Sequence, residues 1–207
     1  WRTAWNPNSY KFETPIKKVK YKNSSREGYI KVQIADKKNV IVNGIKIKKL
    51  SDLLGNINVV LFTPDDINIL KNGPAQRRRF LDMMIGQIRP NYVHNLNMYL
   101  KVLEQRNNYL KQLKSTNGNY DLLDIWDEKL AEYANKVCLY RLEFIKKITD
   151  KINEIHSKIT ENKEEIRVEY LTDCENKEKL LSLIRERRTL DIIKGFTTKG
   201  AHRDDFN

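Results

Sequence analysis

The spacing of apolar and polar positions divides the chain into a front part with strand periodicity and a longer back part with helical periodicity. Residues 16–22, IKKVKYK, alternate apolar and basic side chains, and Tyr29 to Ile34 alternate again after a turn at Ser24, Ser25, Glu27 and Gly28. Val40-Ile41-Val42 and Ile45-Lys46-Ile47 flank Asn43-Gly44, a dipeptide suited to the two positive φ angles of a type I′ hairpin. These features predict an antiparallel meander over 16–48 with lysines on one face. Ser51 predicts the cap of a short helix through Leu54, ended by Gly55. The apolar run Val59-Val60-Leu61-Phe62 predicts a buried strand closed by Pro64, with Asp65 and Asp66 in the first turn of a short helix, where the dipole favours negative charge. Asn72-Gly73 ends that turn. Pro74 opens the next helix, whose buried stripe is Phe80, Leu81, Met84, Ile85 and Ile88.

Arg89-Pro90 breaks the chain before a helix from about Asn91 to Lys114. Val93, Leu96, Leu100, Leu103, Asn107 and Leu110 follow the 3,4 spacing of a coiled-coil seam with one polar member. After the turn residues 115–119, a second helix is predicted from about Asp121 to Thr160, with a stripe from Leu123 and Trp126 through Ile148, Ile152, Ile155 and Ile159. At the helical rise it would be about 60 Å long. A short connection makes the pair antiparallel. A helix of that length projects beyond or bridges a small core rather than filling it. Glu165 to Leu171 alternates like a strand, and a helix is expected near Glu175 to Thr189, buried through Leu180, Leu181 and Ile184, starting at Thr172 or Asp173.

Charge sharpens this picture. The formal net charge is +12, and residues 1–60 hold 13 basic and 4 acidic side chains, so +9 of it lies in the front part and +3 in the rest. A basic face attracts polyanions, nucleic acid above all. The same lysines also read as a solvated face that guards sheet edges against aggregation. No apolar run approaches transmembrane length, so no membrane partner is expected. Cys138 and Cys174 lie far apart, outside any metal spacing; Cys138, on a helical apolar face, reads as a small core residue, and both fit the reduced thiols of a cytoplasmic protein.

Three arginines at the start of the helix opened by Pro74 divide by helical geometry. Arg77 shares the face of Leu81 and Met84 and is expected to be part-buried and paired, with Asp65 or Asp66 across the turn. Arg78 lies four before Asp82 and can pair with it. Arg79 points outward and suits a phosphate. Near the end, His202-Arg203-Asp204-Asp205 could form a metal site or an acid–base cluster, including that of a Mg²⁺-dependent nuclease. An extended backbone, however, sends His202 and Asp204 to one side and Arg203 and Asp205 to the other. A structural ion pair involving Arg203 and Asp204 is the expectation. No glycine-rich phosphate loop GxxxxGK[ST] occurs, and no apolar strand ends in the acidic residues that hold Mg²⁺, so this chain alone is not expected to hydrolyse ATP.

The central stretch resembles the RecF family of DNA replication and repair ATPases, related to SMC and ABC-type proteins. The resemblance rests on Pro64-Asp65, Ile69-Leu70, Gly73-Pro74, Arg77-Arg78, Phe80-Leu81-Asp82 and Gly86-Gln87. It continues through Leu103-Glu104-Gln105-Arg106-Asn107-Asn108 and returns at Gly200-Ala201-His202-Arg203-Asp204-Asp205. Asn72 stands where the family usually has Gly, and Ala201 where it usually has Pro. The resemblance implies an α+β fold: an antiparallel β-rich piece of a split ABC/SMC-type ATPase head over 1–71, an inserted helical arm over 72–190 built on the long antiparallel helix pair, and a return into the head over 191–207. The opening at Trp1 without Met and the stop at Asn207 read as those of an internal fragment, with the phosphate loop and the acidic strand in the flanks. The implied function is part of an ATP-dependent, DNA-binding recombination mediator, with ATP and Mg²⁺ as cofactors. Its partners would be DNA, a second copy joined through ATP, and other mediator proteins. Thr63 and Asp65 would then lie near the nucleotide, and Lys46, Lys48, Lys71 and Arg79 are the candidate DNA contacts. The other reading is a stand-alone basic coiled-coil adaptor that binds nucleic acid through charge.

Overall fold

The computed structural model describes residues 16–22, 27–34, 38–48, 50–53, 58, 63, 69, 71, 73–115 and 120–207. The chain falls into two units, residues 1–58 and 59–207.

In the first unit four strands form one antiparallel sheet in sequence order: β1 (Ile16–Lys22), β2 (Glu27–Ile34), β3 (Lys38–Val42) and β4 (Ile45–Lys46). The turn between β3 and β4 has Asn43 at φ 49° and Gly44 at φ 88°, the two left-handed residues the sequence called for. It is tied to β2 by the Asn43 side chain, which accepts from the Tyr29 N–H at 2.8 Å. Strand alternation puts Ile30, Val40 and Val42 in a small core with Val32, Ile47 and Leu53 beside it. Lys18, Lys31, Ile41 and Lys46 form one cross-strand row. The short helix expected from Ser51 is a 3-10 turn, Leu50–Leu53. The expected strand 59–62 lies outside the described residues.

The second unit is helical: α1 (Pro74–Ile88), α2 (Pro90–Ser115), α3 (Asp121–Thr160), α4 (Lys177–Glu186) and α5 (Arg188–Lys194), with a two-strand ribbon of β5 (Tyr170–Leu171) and β6 (Asp205–Phe206). Pro74 stands at the first turn of α1, as expected. Arg89 pairs with Glu143, Tyr92 meets Arg141 and Arg106 meets Asp127, so α2 and α3 run antiparallel. That register also means that α3 continues beyond the start of α2 from about residue 144, an overhang of about 25 Å.

The seam of α2 differs from the expected one. Tyr92, Tyr99, Val102, Arg106, Leu110 and Leu113 are the buried residues, while Leu100 is 48% exposed. The helix is rotated because its aromatic and arginine side chains, not its leucines alone, face α3 and the C-terminal segment. Ile88 ends α1 exposed rather than buried, and Ile155 and Ile159 are exposed on the α3 overhang, past the reach of α2. The expected strand 165–171 shortens to Tyr170–Leu171, with Glu169 exchanging backbone hydrogen bonds with Asn207 at 2.9 and 3.1 Å beside it. The helix expected over 175–189 is two helices, broken at Arg187. Its cap is Asn176, whose side chain accepts from the Lys179 N–H at 2.8 Å, and not Thr172 or Asp173.

The two units meet at 58/59 in the chain, and residues 191–207 lie in the second of them. Ion pairs tie residues 191–207 to the helices: Arg77 on α1 binds Asp205 of β6, and Arg106 on α2 binds Asp191 on α5.

Candidate functional site

Buried polar side chains of the second unit converge on the 197–206 segment, and each of the first three helices supplies arginines to it. The inner layer is built by Arg106 on α2, which is fully buried. Its Nε donates to Asp127 of α3 at 2.6 Å, and its Nη1 donates to Asp191 of α5 and to the Thr197 hydroxyl, both at 2.8 Å. Arg188 Nε donates to the second oxygen of Asp127 at 2.6 Å, and Arg188 also pairs with Asp124. Asn107 accepts from both the N–H and the hydroxyl of Thr197, at 2.8 and 2.7 Å. Asp191 accepts from the N–H and hydroxyl of Thr198 at 3.0 and 2.6 Å. A guanidinium removed from water costs several kcal/mol unless carboxylates compensate it, and here two do.

The middle layer is built by Arg141 on α3, also buried. Its Nη2 donates to Asp82 of α1 at 2.7 Å, and its Nη1 to the Ala201 carbonyl at 2.8 Å and the Tyr170 hydroxyl at 3.2 Å. Tyr170 in turn donates to Asp204 at 2.6 Å, and Tyr92 donates to Asp82 while accepting from Arg141 Nε at 3.0 Å. Burial works against the charge of Arg141, but Tyr92, Tyr170 and Asp82 outweigh it and hold its pKa well above the ordinary arginine value. Burial raises Asp204, with the hydrogen bond from Tyr170 acting in opposition. Burial also pushes the Cys138 thiol up to about 11 and raises Cys174 further, so neither is a reactive thiolate.

His202 is held from both sides. Its Nε2 lies 3.1 Å from the Thr197 carbonyl, so that nitrogen carries the proton, and Tyr99 donates to Nδ1 at 2.6 Å. Burial pushes this imidazole down to about 4, so it is neutral near pH 7. Gly200 beside it has φ +134°, and a Cβ there would stand 2.7 Å from the Tyr99 hydroxyl. Only glycine fits this close approach.

The outer layer is α1. Arg77 grips Asp205 with two parallel bonds, Nε at 2.7 Å and Nη2 at 2.6 Å, and these bonds hold the Asp205 carboxyl below the usual carboxylate range. Arg78 donates to the Asp204 carbonyl at 2.7 Å. The expected Arg78–Asp82 pair is replaced because Asp82 turns toward Arg141 and Arg78 reaches the C-terminal segment. Arg77 takes Asp205; Asp65 and Asp66, its expected partners, lie outside the described residues. Arg203 points outward over the Phe196 ring, 5.4 Å from its centroid, rather than pairing with Asp204. His202 and Asp204 both turn inward, but not from an extended backbone: residues 201–203 form a turn, with the Arg203 N–H donating to the Gly200 carbonyl at 2.8 Å, and only Asp205–Phe206 are strand.

Arg79 and Lys71 are exposed in the second unit, and Lys46 and Lys48 are exposed in the first. Thr63 is half-buried, and Asp65 lies outside the described residues. Among the described residues no group of three His, Cys, Asp or Glu side chains could hold a metal ion. With no phosphate loop in the sequence either, the residues in hand do not fit ATP or Mg²⁺ by themselves. Sequence reasoning missed Asp127, Arg141 and Asp191, and singled out Arg106 only as part of the family resemblance, without its buried role. The available signal was position: Arg141 stands four after Val137 and four before Ile145, both buried, so a guanidinium interrupts an apolar stripe.

The fold has solved counterparts. The fold superposes with a TM-score of 0.82 on a structure of "the recombination mediator protein RecF-ATPrS in RecFOR pathway", at 32% identity over 94% of this chain and 56% of that one. A second, with RecF-ATP, gives 0.81 at 34% identity over 87% of this chain and 51% of that one. Among curated proteins, the DNA replication and repair protein RecF of Clostridium perfringens is 43% identical over 175 residues, 83% of this chain and 48% of its own length. That of Clostridium acetobutylicum is 40% identical over 182 residues, 86% of this chain and 50% of its own. The chain belongs to the RecF family. It spans about half the length of the curated RecF proteins it matches. No family model matches it. In the fold the Gly200–Asp205 motif and the α1 arginines form one contact, Arg77 and Arg78 closing on Asp205 and Asp204.

Proposed function

We propose that the chain is part of an ATP-dependent, DNA-binding recombination mediator that acts in DNA repair and replication by assisting recombinase loading at gaps. The observation that carries this reading is the 43% identity to a RecF protein over 83% of the chain, together with a matching fold. The solved relatives are described with ATP or ATPrS, which supports nucleotide binding by the whole protein. The RecFOR pathway named for them supports other mediator proteins as partners. Mg²⁺, dimerisation through ATP, a cytoplasmic location and direct DNA contact belong to the same proposal. No described helix is long and apolar enough to cross a membrane.

In this reading the β-rich unit and the 197–206 segment belong to the ATPase head, and α2 and α3 form the arm. Thr63 and Asp65 lie near the nucleotide, and Lys46, Lys48, Lys71 and Arg79 contact DNA phosphates. The clamp then ties the arm's helices to a segment of the head, so that nucleotide-dependent movement reaches α3. The experiment is recombinase filament assembly on gapped DNA with the complete protein, with and without ATP. Acceleration that requires ATP supports the proposal, and none removes it. Within the same preparation, Arg79→Ala is expected to lower the slope of log affinity against log salt by about 0.9 on duplex DNA, the share of one phosphate contact.

A further inference from the structure

The end of α5 leaves an aromatic ring outside. Gly195 has φ 72°, and the Phe196 N–H donates to the Asp191 carbonyl while the Gly195 N–H reaches the Ile192 carbonyl. That is the Schellman pattern, in which the residue after the glycine usually packs against an apolar side chain at the position of Asp191. Here that position holds a carboxylate turned inward to Arg106 and Thr198. Phe196 is consequently 39% exposed. Its surroundings are cationic: Lys194 Nζ lies 5.9 Å and the Arg203 guanidinium 5.4 Å from the ring centroid. Both of those side chains are exposed. With Thr198, Lys199 and Asp173 they line a shallow groove of about 390 Å³, in which three cations face one carboxylate, itself paired with Lys199 at 2.7 Å.

We infer that this groove is a single-stranded nucleic-acid subsite, in which an unpaired base stacks on Phe196 and Lys194 and Arg203 take the flanking phosphates. A cationic track with an exposed aromatic ring is what unpaired strands require: the ring serves any base through its π face, and the cations follow the backbone. Duplex DNA keeps its bases stacked inside and offers nothing to the ring. An acidic peptide would use the cations and leave the ring idle. The Arg203 of the C-terminal motif, which the buried clamp does not use, thereby gains a role. The inference rests on the DNA-binding reading above and narrows it to a place and a strand form.

The test is fluorescence anisotropy of the complete protein with a labelled oligothymidylate, a duplex of equal length and an oligoglutamate peptide, across a salt series. Phe196→Leu keeps an apolar residue at the cap. It is expected to weaken oligothymidylate binding about 5- to 100-fold, with duplex binding and the salt slope unchanged. Lys194→Gln and Arg203→Gln, exposed side chains that make none of the clamp's hydrogen bonds, are each expected to lower the single-strand salt slope by about 0.7. Single-strand affinity indifferent to all three substitutions, with duplex binding intact, overturns the groove and leaves DNA binding standing. Loss of peptide binding without loss of oligothymidylate binding overturns it in favour of a protein partner. A protein that binds neither DNA form removes the underlying reading as well.

Discussion

At the scale of single residues, the buried arginines carry the argument. Arg106 is compensated by Asp127 and Asp191, so removing it leaves two carboxylates in the interior. Arg106→Leu is expected to destabilise the folded chain by about 3–5 kcal/mol, read as a shift of the urea midpoint. His202 gives a second expectation through pH. Its folded value, about 4, lies below the value near 6.5 of an unperturbed imidazole, so between the two the unfolded chain binds the extra proton. Stability from this group is present above about pH 6.5 and is lost as pH falls toward about 4, by at most about 3 kcal/mol. His202→Gln should flatten the pH dependence of urea unfolding in that window relative to the parent chain. These residues were only partly legible in the sequence. The inward facing of His202 and Asp204 is set by the turn at 200–203 and by Tyr99, Thr197 and Tyr170, and not by the strand alternation that the sequence suggested. The partners of Arg77 and Arg78 lie more than a hundred residues away, and helix-local spacing cannot name a partner that tertiary packing supplies.

At the scale of elements, period decided what could be read. The Asn43-Gly44 hairpin and the Pro74 start were local and came out as the sequence indicated. The length and pairing of α2 and α3 were legible too. The face of α2 was not, because Tyr92, Tyr99 and Arg106 outcompete Leu100 for burial through hydrogen bonds that a hydrophobic stripe does not register. The break at Arg187 carries no glycine or proline and is set by Arg188 reaching Asp124 and Asp127. The α3 overhang has a measurable consequence. From about residue 146 to 160 the helix lacks α2 as a neighbour and exposes Ile155 and Ile159. Amide hydrogen exchange there is expected to be faster than over 123–145, where α2 covers the helix. Equal protection along all of α3 would show that the distal turns are held as firmly as the root.

At the scale of the whole molecule, the three arginine layers make the 197–206 segment a fixed part of the helical unit, with α1, α2 and α3 each bound to it. The curated RecF proteins that this chain matches are about twice its length. The claim tested most directly is that the complete protein couples ATP to DNA through this clamp. The decisive measurement is duplex DNA affinity of the complete protein with and without ATP, for the parent and for Arg77→Gln. The expected result is ATP-dependent tightening in the parent that is lost in the variant, with both equally folded. DNA binding indifferent to ATP in the parent, or fully coupled in the variant, would contradict it.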